Sequence, residues 1–242
     1  MPKGKWGKLL AVGLVAFLAT SLSASTVMTV TIESDFEGGR SWSEGYVGET
    51  GDNGELNFEG ANTSPWYDGW WDFQGQTNPF LSGGSFVLNP TTVWQIYTVT
   101  FAIPIDAAIL PTSSVGGSIG GSVTDANYDG VGGAQTVAGS SLFAGLLDGV
   151  SVMTLHDDPL SWPAGGTFAF GGDTVNIPAV NAGLPGATIP APGVLNTIGI
   201  QHHFALAPGD SISFTSFFTV VPEPATALLL GTGLLALRRR RK

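Results

Sequence analysis

The amino-acid sequence predicts an all-β protein, with a single β-sandwich or jelly-roll-like domain over residues 25–220 and a short helix outside it at each end. Three observations lead there. Apolar and polar residues alternate with a period of two in several short windows. β-Branched and aromatic residues dominate those windows. Gly and Pro interrupt the body so often that no stretch keeps helical spacing for three turns.

The first element is the leader, MPKGKWGKLLAVGLVAFLATSLSAS. Lys3, Lys5 and Lys8 precede an apolar run from Leu9 to Ala19, and small residues follow. This three-part pattern predicts a secretory signal helix over residues 1–24, removed by signal peptidase near Ala24 or Ser25. Its apolar run makes a helix of about 17 Å, short of the ~30 Å hydrocarbon core of a bilayer.

Strands come next. TVMTVTI (26–32) places Met28, Val30 and Ile32 on one face, and TVWQIYTVTFAI (92–103) is β-branched and aromatic throughout. In LLDGVSVMTL (146–155), Asp148-Gly149 between apolar runs signals a hairpin. In TIGIQHHFALAPGDSISFTSFF (197–218), Ala-Pro-Gly-Asp is the turn between two strands. The second of these, SISFTSFFTV (211–220), puts Ile212, Phe214, Phe218 and Val220 on one face. Two segments are predicted to lie outside the core: the Gly- and Ser-rich stretch 111–141, and the Pro-rich stretch 175–193, extended over the surface.

Charge is segregated. Of nine Lys and Arg in 242 residues, Arg40 alone lies between Lys8 and Arg238, against all 19 Asp and Glu of the chain. Nucleic acid and anionic membrane surfaces need clustered cations, so the body is not built for them. Cysteine is absent, which excludes disulfides, thiol nucleophiles and thiolate metal sites.

The chain ends VPEPATALLLGTGLLALRRRRK. Pro222 and Pro224 forbid a continuing strand, so the folded body is expected to end before them. Ala225 to Leu237 is uncharged and gives a short hydrophobic helix of about 20 Å. Arg238, Arg239, Arg240, Arg241 and Lys242 then form a cationic stop on the cytoplasmic side. Triplet, apolar helix and basic end, together and in order, resemble a PEP-CTERM sorting signal over residues 221–242. The resemblance implies that Pro222, Glu223 and Pro224 are read by a membrane-embedded exosortase in a Gram-negative bacterium. It further implies transient membrane anchoring, removal of the tail, and release to, or attachment at, the cell surface, outer membrane or extracellular matrix. The stretches SVMTLHDDP and IGIQHHFALAPGDSISFTSFFTVV also resemble the C-terminal part of PEP-CTERM proteins of unknown function.

Four groups of residues bear on chemistry. Asp125, Asn127 and Asp129 in DANYDG match the opening half of an EF-hand-type loop, whose alternate oxygens converge on calcium. Position twelve of such a loop is Thr136 instead of Glu, and a plain Asx-rich turn is the simpler reading. Trp66, Tyr67, Trp70 and Trp71 cluster with Asp68 and Asp72 among loop-forming residues. Aromatic faces and carboxylates suit sugar rings, while packing of the same rings into a core is the simpler reading. GGSIG around Ser118 matches a nucleophile-elbow pattern, followed by Asp157 or Asp158 and by His202 or His203. The segment after Ser118 cannot form the helix that an elbow needs. The histidines His156, His202 and His203 read as ordinary strand and loop residues, with the last two on opposite faces of one strand.

Together these features predict an exported, non-enzymatic structural or adhesive protein near extracellular polysaccharide. A carbohydrate-binding module using the 66–71 aromatic cluster is the alternative, and a polysaccharide-modifying hydrolase the third reading.

Overall fold

The computed structural model describes residues 26–51, 55–76, 79–130, 132–165 and 173–223. The signal helix, Pro224, the hydrophobic tail helix and the basic end lie outside the described residues. No α-helix occurs among those described, so no helix there is long and apolar enough to cross a membrane.

In chain order the strands are β1 Val27–Ser34, β2 Arg40–Val47, β3 Glu49–Thr50, β4 Leu56–Ser64, β5 Tyr67–Gln76, β6 Phe80–Leu88, β7 Gln95–Pro104 and β8 Ile109–Thr124. There follow β9 Ala134–Gln135, β10 Ser141–Leu147, β11 Val150–Asp157, β12 Ser161–Trp162, β13 Thr174–Ala182, β14 Ile189–Val194, β15 Thr197–Leu206 and β16 Ser211–Pro222. They form two antiparallel sheets. The first has the order β11-β10-β15-β7-β1-β2, with β9 and β12 beside β15. The second has the order β13-β8-β16-β6-β5-β4-β3, with β14 also on β8.

The pairings are nested: β6 with β16, β7 with β15, β8 with β13 and β14, and β10 with β11. Consecutive members of this series alternate between the sheets. The β10–β11 turn is the predicted hairpin: Leu147 pairs with Val150, and Asp148 and Gly149 both have positive φ, as a type I′ turn requires. Asp148 also accepts main-chain N–H bonds from Leu195, Asn196 and Thr197, which hold its carboxyl below the usual range despite partial desolvation. The N-terminal strands then widen both sheets, β1 and β2 beyond β7, and β5, β4 and β3 beyond β6.

One apolar layer fills the space between the sheets. From the first sheet come Met28, Val30, Ile32, Tyr97, Val99, Phe101, Ile103 and Phe204. From the second come Phe58, Tyr67, Trp71, Phe73, Leu81, Phe214 and Phe218. Rings meet across the layer: Phe73 lies 4.3 Å from Phe101, Trp71 5.8 Å from Trp42, and Phe204 5.3 Å from Phe214, centroid to centroid. The Tyr97 hydroxyl donates to the Trp66 carbonyl at 2.6 Å, so a polar tie joins the sheets as well.

Two expectations need correction. The Gly- and Ser-rich stretch is not outside the core. It supplies β8, which lies between β16 and β13 and buries Val115, Ile119 and Val123. Glycines hide the strand's apolar repeat, because neighbouring atoms fill the space where side chains would be. A Cβ on Gly117 would stand 3.2 Å from the Met153 methyl, and one on Gly121 would stand 2.1 Å from the Ser213 carbonyl oxygen. The Pro-rich stretch is likewise two strands. Pro190 and Pro192 are tolerated because β14 pairs on one side only, with β8, and the register of β13 shifts around Pro178.

These contacts separate two glycines of the second sheet. Gly121→Ala is expected to lower stability by about 1–3 kcal/mol through overpacking. Gly84→Ala, whose Cβ would meet only the Phe214 carbonyl oxygen at 3.5 Å, should be close to neutral. Urea unfolding of the two variants checks this.

Candidate functional site

The segment 58–73 is a hairpin, not a loop. Ser64 Oγ accepts the N–H groups of Trp66 and Tyr67, closing a tight turn between β4 and β5. From Tyr67 onward β5 alternates strictly, so Tyr67, Trp71 and Phe73 enter the core while Asp68, Trp70, Asp72 and Gln74 face outward. Trp66 is also buried, against Tyr67. The four aromatic residues are therefore not brought together on one surface: three are interior, and Trp70 alone is 47% exposed.

Around Trp70 lies an open cleft of about 540 Å³, lined by Val47, Glu49, Asn57, Glu59, Ala61 and Asp72. Cross-strand register builds it. Ala61 is opposite Trp70 and leaves its ring uncovered, while Glu59 is opposite Asp72. Two carboxylates directly opposite on one face repel each other and cost stability. Glu49, opposite Asn57 on β3, adds a third acid to the cleft. The result is an exposed indole beside several hydrogen-bond acceptors.

The DANYDG loop follows β8. Asp125 is buried, and its Oδ2 accepts the Gly130 N–H at 3.0 Å. Asn127 is exposed; its amide donates to Asp129 Oδ2 at 2.9 Å and to the Pro208 carbonyl at 3.1 Å. The structure adds a residue that the sequence motif did not include, Asp210, fully buried in the Ala-Pro-Gly-Asp turn. Its Oδ2 accepts the Gly133 N–H at 2.6 Å. Burial, then the nearby charges of Asp125 and Asp129, push its carboxyl up to about 6 against the opposing Gly133 hydrogen bond. Sequence spacing could not find Asp210, which is distant in the chain. Among the described residues no three His, Asp or Glu side chains are already gathered in ligand geometry.

Ser118 lies in the middle of β8, paired with Phe217 and Asn181, and is not at a strand-to-helix turn. His202 is fully buried in the other sheet, 4.5 Å from the Phe214 ring, with Nδ1 3.4 Å from Ser85 Oγ. His203 faces the opposite way, its Nδ1 2.8 Å from Thr98 Oγ1. His156 bonds the Pro178 carbonyl through Nε2 at 2.8 Å. Asp157 accepts from Ser141, and Asp158 from Thr136 and Gly139. The serine, histidines and aspartates of the elbow pattern thus sit in separate places.

At the C-terminal end β16 loses its β6 neighbour after Thr219 but stays paired with β8 as far as Pro222 opposite Ser113. Thr112 Oγ1 donates to Glu223 Oε2 at 2.9 Å. The strand thus runs two residues beyond the expected end of the body. Proline fits at its last position because only one side is paired there.

Residues 220–242 match the PEP-CTERM protein-sorting motif. This motif implies export, processing by exosortase, a membrane protein, and sorting to the cell surface of a Gram-negative bacterium. No match to the chain is found among curated proteins. The first two residues of the PEP-CTERM triplet, Pro222 and Glu223, are held against β8, with no spacer between them and the sheet.

His202 makes the body sensitive to acid. Desolvation lowers its pKa to about 3, whereas an unfolded histidine titrates near 6.5. The unfolded chain therefore takes up the proton first, and stability, complete above about pH 6.5, falls as pH drops toward 3. The stability advantage of wild type over His202→Gln is expected to shrink by about 1 kcal/mol between pH 6 and pH 5. Parallel urea titrations measure it.

Proposed function

We propose that the chain is an exported structural or adhesive protein, without enzymatic activity, working at the bacterial surface or in the polysaccharide matrix around it. The nested pairing of β6, β7, β8 and β10 with the returning strands reads as a jelly roll, a common extracellular architecture. The carrying observation is the junction of body and tail: β16 ends inside the PEP-CTERM motif, so the folded sheet itself is the cargo. The acidic, nearly cation-free body supports an existence among neutral polymers and hydrated surfaces, not on anionic lipid. Deleting residues 222–242 is expected to abolish surface display in the native host while the protein remains exported and folded. Unchanged display, measured by protease accessibility on intact cells, would refute the reading.

A second reading, carbohydrate binding, is favoured by the Trp70 cleft. An uncovered indole can stack on the C–H face of a sugar ring, and Glu49, Glu59 and Asp72 can accept its hydroxyl hydrogens. Glu59 and Asp72 are neighbours on one sheet face, which suits binding better than the divided acid and base of a glycoside hydrolase. Trp70→Ala is expected to abolish any oligosaccharide-induced fluorescence shift and to change stability by less than about 0.5 kcal/mol. Trp71→Ala, by contrast, should destabilise the fold by about 3–5 kcal/mol. Fluorescence titration and thermal melts distinguish the two.

A further inference from the structure

We propose that Asp125 and Asp210 are the core of a calcium site that clamps the loop after β8 to the turn between β15 and β16. Each carboxylate is almost wholly buried, 2% exposed for Asp125 and 0% for Asp210. Each spends one oxygen on a main-chain N–H, and each leaves Oδ1 buried with no hydrogen-bond partner. Such an oxygen is costly unless something positive meets it.

Among the described residues no basic side chain meets it. Arg40 is the one basic residue between Lys8 and Arg238, and its guanidinium pairs with Glu37 in the turn between β1 and β2. His156 bonds the Pro178 carbonyl, His202 is enclosed by aromatic rings, and His203 bonds Thr98. A diffusible cation is what remains. The available donors are all oxygen, the chemistry of calcium and not of zinc or copper.

The surrounding backbone is shaped around the two acids. Gly132 passes so near Asp210 that a Cβ there would stand 2.0 Å from Oδ2. Gly209, with φ of +72°, makes room for Asn127, whose amide bonds the Pro208 carbonyl. Ala207 N–H bonds the Gly133 carbonyl at 2.9 Å. Loop and turn thus already touch on both sides of the acids. Asp129, exposed at the mouth and bonded by the Asn127 amide, adds a further negative charge close enough to act on Asp210. The half motif in the sequence is therefore completed by Asp210, not by a residue at its own twelfth position.

The test uses the full-length chain stripped with a chelator, then titrated with calcium chloride or magnesium chloride by calorimetry and followed by thermal melts. One calcium per chain is expected, with binding at least tenfold tighter than magnesium and a melting temperature about 5–10 °C higher at a hundredfold excess over Kd. Asp125→Asn and Asp210→Asn should each weaken calcium at least tenfold, while Glu59→Gln in the Trp70 cleft should bind as wild type does. If either buried variant fails to fold, Asp129→Asn at the loop surface carries the same expectation of weaker binding. Absence of calcium binding by wild type overturns the proposal. So does undiminished binding by the substituted loop and turn, or an Asp210→Asn protein that melts higher than wild type with calcium present, the mark of a shared proton.

Discussion

The aromatic layer between the two sheets is the constraint on which the rest of the structure depends. Trp71, Phe73, Phe101, Phe204 and Phe214 interlock there, and their burial dictates which side of each strand faces in. A shift of one residue in β5 would turn Trp71 and Phe73 out and Asp72 in. The outward position of Trp70, and with it the cleft, is thus a consequence of core packing. Gly60 belongs to the same arrangement, since a Cβ there would stand 2.6 Å from the Trp71 indole nitrogen and from the Tyr46 ring.

Much of this was legible in the sequence. Strands β1, β7, β11, β15 and β16 carry plain alternation or β-rich composition, and Asp148-Gly149 and Ala-Pro-Gly-Asp punctuate them as turns do. β5 alternates as strictly, but its Gly, Asp and neighbouring Pro resemble loop chemistry, and the adjacent tryptophans suggested one cluster where the pleat makes two faces. β8 was hidden for another reason. Its inward positions read Val, Gly, Ile, Gly, Val, and the glycines reflect crowding by Met153 and β16, which only the folded chain reveals.

The candidate sites show the same division. The sorting triplet is a local pattern and is read in line, whereas the tryptophan pair is split between two faces of β5. Partners distant in sequence are not read in line. Asp210 joins Asp125 because the β15–β16 turn folds over the loop after β8, and Glu59 meets Asp72 because of β4–β5 register. The folded chain also separates residues that linear order seemed to unite, as with Ser118 and His202.

The direction of β16 has one more consequence. It begins beside Asp210 and reaches Pro222 after twelve residues, about 40 Å of extended chain. Whatever holds the protein by its C-terminal motif therefore grips the end of the sandwich opposite the β15–β16 turn. The opposite end carries the acidic loop and the Trp66 corner, so both lie about one strand's length from that motif.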